Sequence, residues 1–483
     1  MTGTLATLAG ELTERSALEL ARAIREREVS AREVTECHIQ ALERARLNAV
    51  VVERFDAARA EADDVDRRLA VGEPDPPPLL GVPCTIKEAL AVAGLPNTAG
   101  LASRRGRAAE RTAPAAQRLL EAGPILLGLT NLSELTMWIE SDNRVYGRTL
   151  NAYDRRRTAG GSSGGEGAAI GCGGSVIGIG TDFAGSIRLP AFFNGVFGHK
   201  PSTGLVPMTG HFPISGGEAM RMSVAGPLAR RATDLMPVLR LIAGPDGADP
   251  LVRDPPLGDP AEVEIEGMEV VISEGATYLP VSRELREARE RAAGALAGAG
   301  ARLRRENLRS VRRAAELFLA AIQAGAGISL AELIVAEGGE PVTARTVLRR
   351  DNPHTLATLM TLAAERLGER IPERRIRRAR AAARSLETEI SATIEDGVLL
   401  HPPHPRVAPR HGWTVGRPWL LAPTALFNLL GMPATQVPLG LGRKGLPVGV
   451  QVAAGRDRDH VAIAVAIELE RAFGGWVPPA PPT

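Results

Sequence analysis

The 483-residue sequence predicts a layered α/β fold. Three observations point to it. Segments of helical period alternate with short apolar runs over the first half of the chain, the pattern of helices packed on a sheet. The same alternation returns after residue 263. Between these parts and the C-terminus, residues 310–395 are nearly all helical in pattern and rich in Ala and Arg.

Taken in order, residues 16–28 form a helix with Leu18, Leu20, Ala21 and Ile24 on its apolar face. Ser30 and Glu33 make an S-x-x-E capping box for a second helix ending near Arg46. Residues 49–52 are a short strand, and 55–69 a charged helix. A Pro-rich loop at 72–78 leads into the strand that carries Lys87. Residues 112–122 form a helix stopped by Gly123 and Pro124. A buried strand at 125–127, a short helix at 133–139 and a loop at 146–158 follow. After residue 201 come a helix at 233–242, a Pro/Asp-rich linker at 245–260, a strand at 263–272 and a helix at 283–297. Leu356, Leu359, Met360, Ala363 and Leu367 mark the packed face of a helix within 310–395. Strands at 398–400 and 447–452 return to the sheet.

Composition excludes several classes. Hydrophobic content of 44% and charge of 24% describe a globular chain. A net charge of +2 carries no global signature for nucleic acid. Cys37, Cys84 and Cys172 are odd in number and scattered, without the spacing of a disulfide framework or a metal site. The first thirty residues are rich in Glu and Arg, unlike a signal peptide, and no apolar run reaches the ~20 residues of a membrane-spanning helix. A cytoplasmic setting is the expectation. The Arg run at 373–384 reads as the solvated face of a helix. His401, His404 and His411 lie in a Pro-rich loop without acidic or thiol neighbours, so no metal is expected. Lysines are rare: Lys87, Lys200 and Lys444 stand against 55 arginines. Arginine cannot act as a base, whereas a buried lysine can, and Lys87 lies in an apolar strand context.

Residues 160–201 form the centre of the chain: GGSSGG, a small-residue segment, an apolar run, then TDFAGSIR and GHKP. Glycine lets backbone approach a ligand closely, and successive free N–H groups can cradle an anion. A serine on such a turn is a candidate nucleophile with its oxyanion site built in. GGSSGG, TDxxGSIR and GHKP, together with GVPCTIKE at 81–88, resemble the amidase signature family. The likeness extends through FNLLGMPATQVPLG and LPVGVQV, so it spans most of the chain. The variant GGSSGGE, AGSIR, GHKP and the closing GGWV are most similar to the fatty-acid amide hydrolase-like branch.

The resemblance implies an amidase signature fold: one domain over 1–483, with a mixed central sheet covered by helices on both faces. The signature core would span 60–215, and the helical insertion at 310–395 would lie near the site. It implies Ser186 as nucleophile, Ser162 as bridging serine after a cis peptide with Gly161, and Lys87 as base. Backbone N–H groups of Phe183, Ala184, Gly185 and Ser186 would hold the oxyanion. Ser163, Asp182 and Arg188 would support the turn. A base working near neutrality needs a pKa of about 7–8 against ~10.4 for free lysine, a shift that burial can supply. Ala184 stands where glycine is commoner, which requires a negative φ there. Met137, Trp138, Phe192 and Phe193 are expected to line an apolar acyl pocket.

The expected activity is hydrolysis of neutral, apolar acyl or aryl amides, with anilide, ester and carbamate hydrolysis beside it and no cofactor. The expected partner is a small-molecule amide, and a homodimer is compatible. Acyl transfer to an amine, or service as the amidase subunit of a transamidation complex, stays open. Two other readings are weaker. Gly160 to Gly164 fits G-x-S-x-G, but Tyr153 to Thr158 cannot be the buried strand an α/β-hydrolase elbow needs, and His199 and His460 lack a supporting motif. A nucleotide-binding module would need a phosphate-loop pattern that the sequence does not contain.

Overall fold

Eleven strands hydrogen-bond into one sheet in the computed structural model, which describes residues 11–480 apart from 73, 215–216, 324–327, 348, 350 and 369–371. The first ten residues of the charged N-terminal stretch thus lie outside the described residues. The strands of the first half are β1 (Val50–Glu53), β2 (Pro83–Lys87), β3 (Ile125–Thr130), β4 (Ile177–Asp182), β5 (Phe197–Lys200) and β6 (Val224–Ala229). Those of the second half are β7 (Glu269–Glu274), β8 (Arg302–Asn307), β9 (Val398–His401), β10 (Ala434–Leu441) and β11 (Pro447–Ala454). The order across the sheet is β1-β3-β2-β4-β6-β5-β10-β11-β9-β7-β8. β2 runs parallel to β3 and β4, and β7 runs parallel to β8 and β9, while the remaining neighbours are antiparallel.

Both faces of the sheet are buried. Successive strand residues point to opposite faces, and along β7 Val270 and Ile272 join one apolar cluster while Val271 joins another. Along β9, Val398 and Leu400 separate from Leu399 in the same way. This two-sided burial explains why the inner strands read as continuous apolar runs rather than alternating ones.

Local chemistry sets the helices. Ser30 and Glu33 close the capping box on Ala31–Ala45, and Ser16 with Glu19 closes another on Ala17–Arg25. The small-residue run after GGSS becomes the helix Gly164–Gly171, every residue of which is buried. It lies so close to the sheet that a Cβ on Gly178 of β4 would meet Glu166 Oε2 at 1.9 Å. The missing side chain at Gly178 makes room for Glu166 of the helix, and this contact sets Ser162, just before the helix, against the ends of β2 and β4.

Several expectations need correction. Residues 133–139 form only a single 3₁₀ turn, Glu134–Thr136, with Leu135 and Thr136 at φ 53° and 58°. The strand expected at 263–272 begins at Glu269 instead. β8 escaped notice because RLRREN has no apolar pattern: it is a half-exposed edge strand held by backbone pairing to β7. In the helix Leu356–Gly368 the expected packed face is only partly packed: Leu359 lies against a core cluster and Met360 faces the cavity beside Ser186. Leu356, Met360 and Leu367 are 62%, 38% and 65% exposed, while Leu362 enters the core at 2%.

Candidate active site

Lys87 ends β2, wholly buried. Parallel pairing of Ile86 with Ile179 brings it beside the end of β4. Its Nζ lies 2.6 Å from Ser162 Oγ and 2.7 Å from Thr181 Oγ1. No carboxylate forms an ion pair with it among the described residues. Burial lowers its pKa to about 7, against the opposing pull of Asp182, Glu166 and Glu88. The peptide between Gly161 and Ser162 is cis.

Ser163 ties the serine segments together. Its N–H donates to the carbonyl of Ser186 at 3.2 Å, and its Oγ donates to the carbonyl of Thr181 at 3.2 Å. The two segments are therefore neighbours, although no hydrogen bond joins Ser162 Oγ to Ser186 Oγ among the described residues. Such contacts are often long before substrate binds.

Asp182 and Arg188 are fully buried and paired at 3.0 Å. Asp182 also accepts the N–H groups of Gly185 at 2.7 Å and Ile187 at 3.0 Å. Burial alone would raise its pKa, but the charge and hydrogen bonds of Arg188 hold the carboxyl well below the usual range. Arg188 in turn donates to Asn428 Oδ1 at 2.6 Å and Gln451 Oε1 at 3.0 Å. Sequence reasoning missed Asn428 and Gln451, which lie 240 and 263 residues downstream of Arg188. Their only signal was their position within FNLLG and VGVQV.

The turn before Ser186 is shaped by its neighbours. Gly185 has φ 121°, and a Cβ there would meet Thr424 Oγ1 at 2.3 Å. Ala184 keeps a negative φ, and its carbonyl accepts from Thr424 Oγ1 at 2.6 Å. The N–H of Gly185 is occupied by Asp182, whereas those of Phe183, Ala184 and Ser186 have no acceptor among the described residues.

Ser186 opens onto a cavity of about 190 Å³. Met137, Trp138, Phe183, Phe318, Met360 and Leu421 line it, so the helices Ala314–Gln323 and Leu356–Gly368 form one of its walls. Phe192 and Phe193 do not line this cavity. The helix Arg188–Phe193 leads away from the turn and buries both in the core, Phe193 with its ring edge-on to His404. His401 and His404 are buried beside aromatic rings, and no cluster of metal-ligating side chains occurs among the described residues. His199 bonds Asp459 at 3.0 Å and Thr435 at 2.8 Å, so both its nitrogens are engaged away from Ser162. Cys84 is buried, which pushes its thiol pKa up and makes it a poor nucleophile. Thr181 and His211 were not foreseen. Thr181 sits inside the TDxxGSIR motif, and His211 reaches the site only through folding.

A family model described as Amidase matches residues 33–462. The chain is an amidase. Fatty-acid amide hydrolase 2-A of Danio rerio is 39% identical over 97% of this chain and 90% of its own length. Fatty-acid amide hydrolase 2 of Homo sapiens is 37% identical over 96% and 90%. A bacterial aryl acylamidase of the amidase signature family superposes with a TM-score of 0.81, at 25% identity, over 95% of this chain and 96% of its own. The fold and the signature motifs thus agree, and the amidase is an amide-hydrolysing enzyme. No helix among its described residues is long and apolar enough to cross a membrane.

Proposed function

We propose that the amidase hydrolyses neutral, apolar acyl or aryl amides through a Ser-Ser-Lys relay. The observation that carries this reading is the 2.6 Å contact of a buried Lys87 with Ser162, beside a serine that opens onto an apolar cavity. Serine needs a base to become nucleophilic at neutral pH. Ser186 Oγ attacks the amide carbonyl carbon as its proton passes to Ser162 and that of Ser162 passes to Lys87. The N–H groups of Phe183, Ala184 and Ser186 stabilise the oxyanion. Ser162 protonates the departing nitrogen, the C–N bond breaks and an acyl-enzyme remains. Water attacks the ester by the same relay, releasing the acid and regenerating Ser186. Anilides, esters and carbamates present the same carbonyl to the same groups.

The apolar lining supports acyl or aryl substrates, as do the names of the fatty-acid amide hydrolases and the aryl acylamidase. The test is turnover of p-nitroanilide, alkyl amide, ester and carbamate substrates. Ser186→Ala and Lys87→Ala should abolish amide turnover, with His199→Gln near wild type. Near-wild-type amide hydrolysis by folded Lys87→Ala would remove the relay.

A further inference from the structure

A chain of hydrogen-bond contacts runs behind Lys87, through Thr181 to His211. Residues 210–212 pair with the segment just after Lys87. The N–H of Ala91 donates to Gly210 O at 2.9 Å, that of Phe212 donates to Ala89 O at 2.8 Å, and Leu90 bridges His211. His211, 8% exposed as a residue, thereby has its ring held beside Thr181. Its Nδ1 lies 2.9 Å from the carbonyl oxygen of Pro213, and its Nε2 lies 3.2 Å from Thr181 Oγ1.

Donor and acceptor roles follow from the carbonyl, which can only accept. Nδ1 must carry a proton. Burial, and then the nearby lysine, lowers the pKa of His211 to about 3, so the ring stays neutral and Nε2 is a lone pair. Thr181 has one hydroxyl proton and gives it to Nε2. Its oxygen then accepts from Lys87 Nζ at 2.7 Å.

We infer that His211 is a positioning residue for Lys87: it draws off the Thr181 hydroxyl proton, so the lone pair of the neutral amine is left to the Ser162 hydroxyl. This inference rests on the relay proposed above. The charged groups acting on Lys87 are Asp182, Glu166 and Glu88, and each favours its ammonium form. None of them orients the neutral amine. Without an acceptor at position 211, the Thr181 hydroxyl can turn its proton onto Nζ and occupy the lone pair that Ser162 needs.

The test uses His211→Leu, His211→Gln, Thr181→Val and the double variant Thr181→Val/His211→Leu, on the best amide substrate. Glutamine supplies both an acceptor for Thr181 and a donor for Pro213, whereas leucine supplies neither. His211→Leu should lower kcat about tenfold or more with KM within about twofold, the scale of a misdirected general base. His211→Gln should stay within about threefold of wild type, since both hydrogen-bonding roles are kept. With Thr181→Val in place, adding His211→Leu should cost nothing more, because the hydroxyl to be turned away is gone.

Three results would overturn the inference: a folded His211→Leu enzyme with wild-type kcat, an equal cost of leucine with and without the Thr181 hydroxyl, or a folded His211→Gln enzyme as poor as the leucine variant. If leucine prevents folding, His211→Gln decides alone, near-wild-type turnover supporting the role and a folded but crippled enzyme ending it. Lys87→Ala separates the two readings. Wild-type turnover in that variant ends the relay itself, whereas an inactive Lys87→Ala beside an unimpaired His211→Leu ends only the role of His211.

Discussion

Lys87 and Lys200 are both buried and both lowered to about 7, in each case chiefly by burial, yet they have different surroundings. Lys200 Nζ donates to the carbonyl of Pro201 at 2.7 Å, whereas Lys87 meets two hydroxyls. A lowered pKa alone therefore does not distinguish the two lysines, and their hydrogen-bond partners do. The pH dependence follows with a definite sign. The relay needs neutral Lys87, whose fraction grows as pH rises through about 7. A profile of kcat/KM should rise tenfold per pH unit below that value and flatten above it. A flat profile from pH 5 to 8 with an uncharged amide would argue against lysine as the base.

Among the elements, one buried carboxylate ties the helix Leu356–Gly368 to the site. Glu134 accepts from His354 Nδ1 at 2.6 Å, the N–H of Thr355 at 2.7 Å and Thr358 Oγ1 at 2.8 Å. It thereby pins the start of the helix Leu356–Gly368 to the 3₁₀ turn beside Met137. Met137 and Met360 lie on the two sides of this joint, and both line the cavity. Removing the carboxylate leaves three donors short of an acceptor, at about 1–3 kcal/mol each if they stay dry. Glu134→Ala should therefore raise KM for a long-chain amide several-fold while changing kcat little. An equal fall in kcat with unchanged KM would show that the joint acts on the serines instead.

Stability of the whole molecule carries the cost of its buried cations. Lys200 is charged in the unfolded chain below ~10.4, but its folded pKa is only about 7. The folded state therefore releases this proton earlier as pH rises. The penalty is complete below about 7, fades between there and ~10.4, and is gone above. Lys200→Met should raise Tm at pH 6, with the gain shrinking towards pH 10, as scanning calorimetry at the two pH values can check. A loss of Tm at pH 6 would mean that the Pro201 hydrogen bond outweighs the buried charge.

The local order of the chain and the motifs of its signature were legible in the residues themselves. Capping at Ser30 depends on a partner three residues away, and the apolar runs at β3 and β4 announce buried strands without any partner. Lys87, Ser162, Ser186, Asp182 and Arg188 stood in three short motifs, each set by local backbone needs such as the positive φ of Gly185. Contacts between distant segments were decided by tertiary structure. β8 exists because its backbone finds β7, and its side chains carry no strand pattern. Phe192 and Phe193 looked like pocket residues because they follow Ser186, but the direction of their helix sends them to the core. The cavity instead draws Phe318 and Met360 from the helical segment, and Asn428 and Gln451 reach Arg188 from the far end of the chain. A motif fixes the chemistry of adjacent residues, whereas burial and hydrogen-bond completion depend on which surfaces the fold brings together.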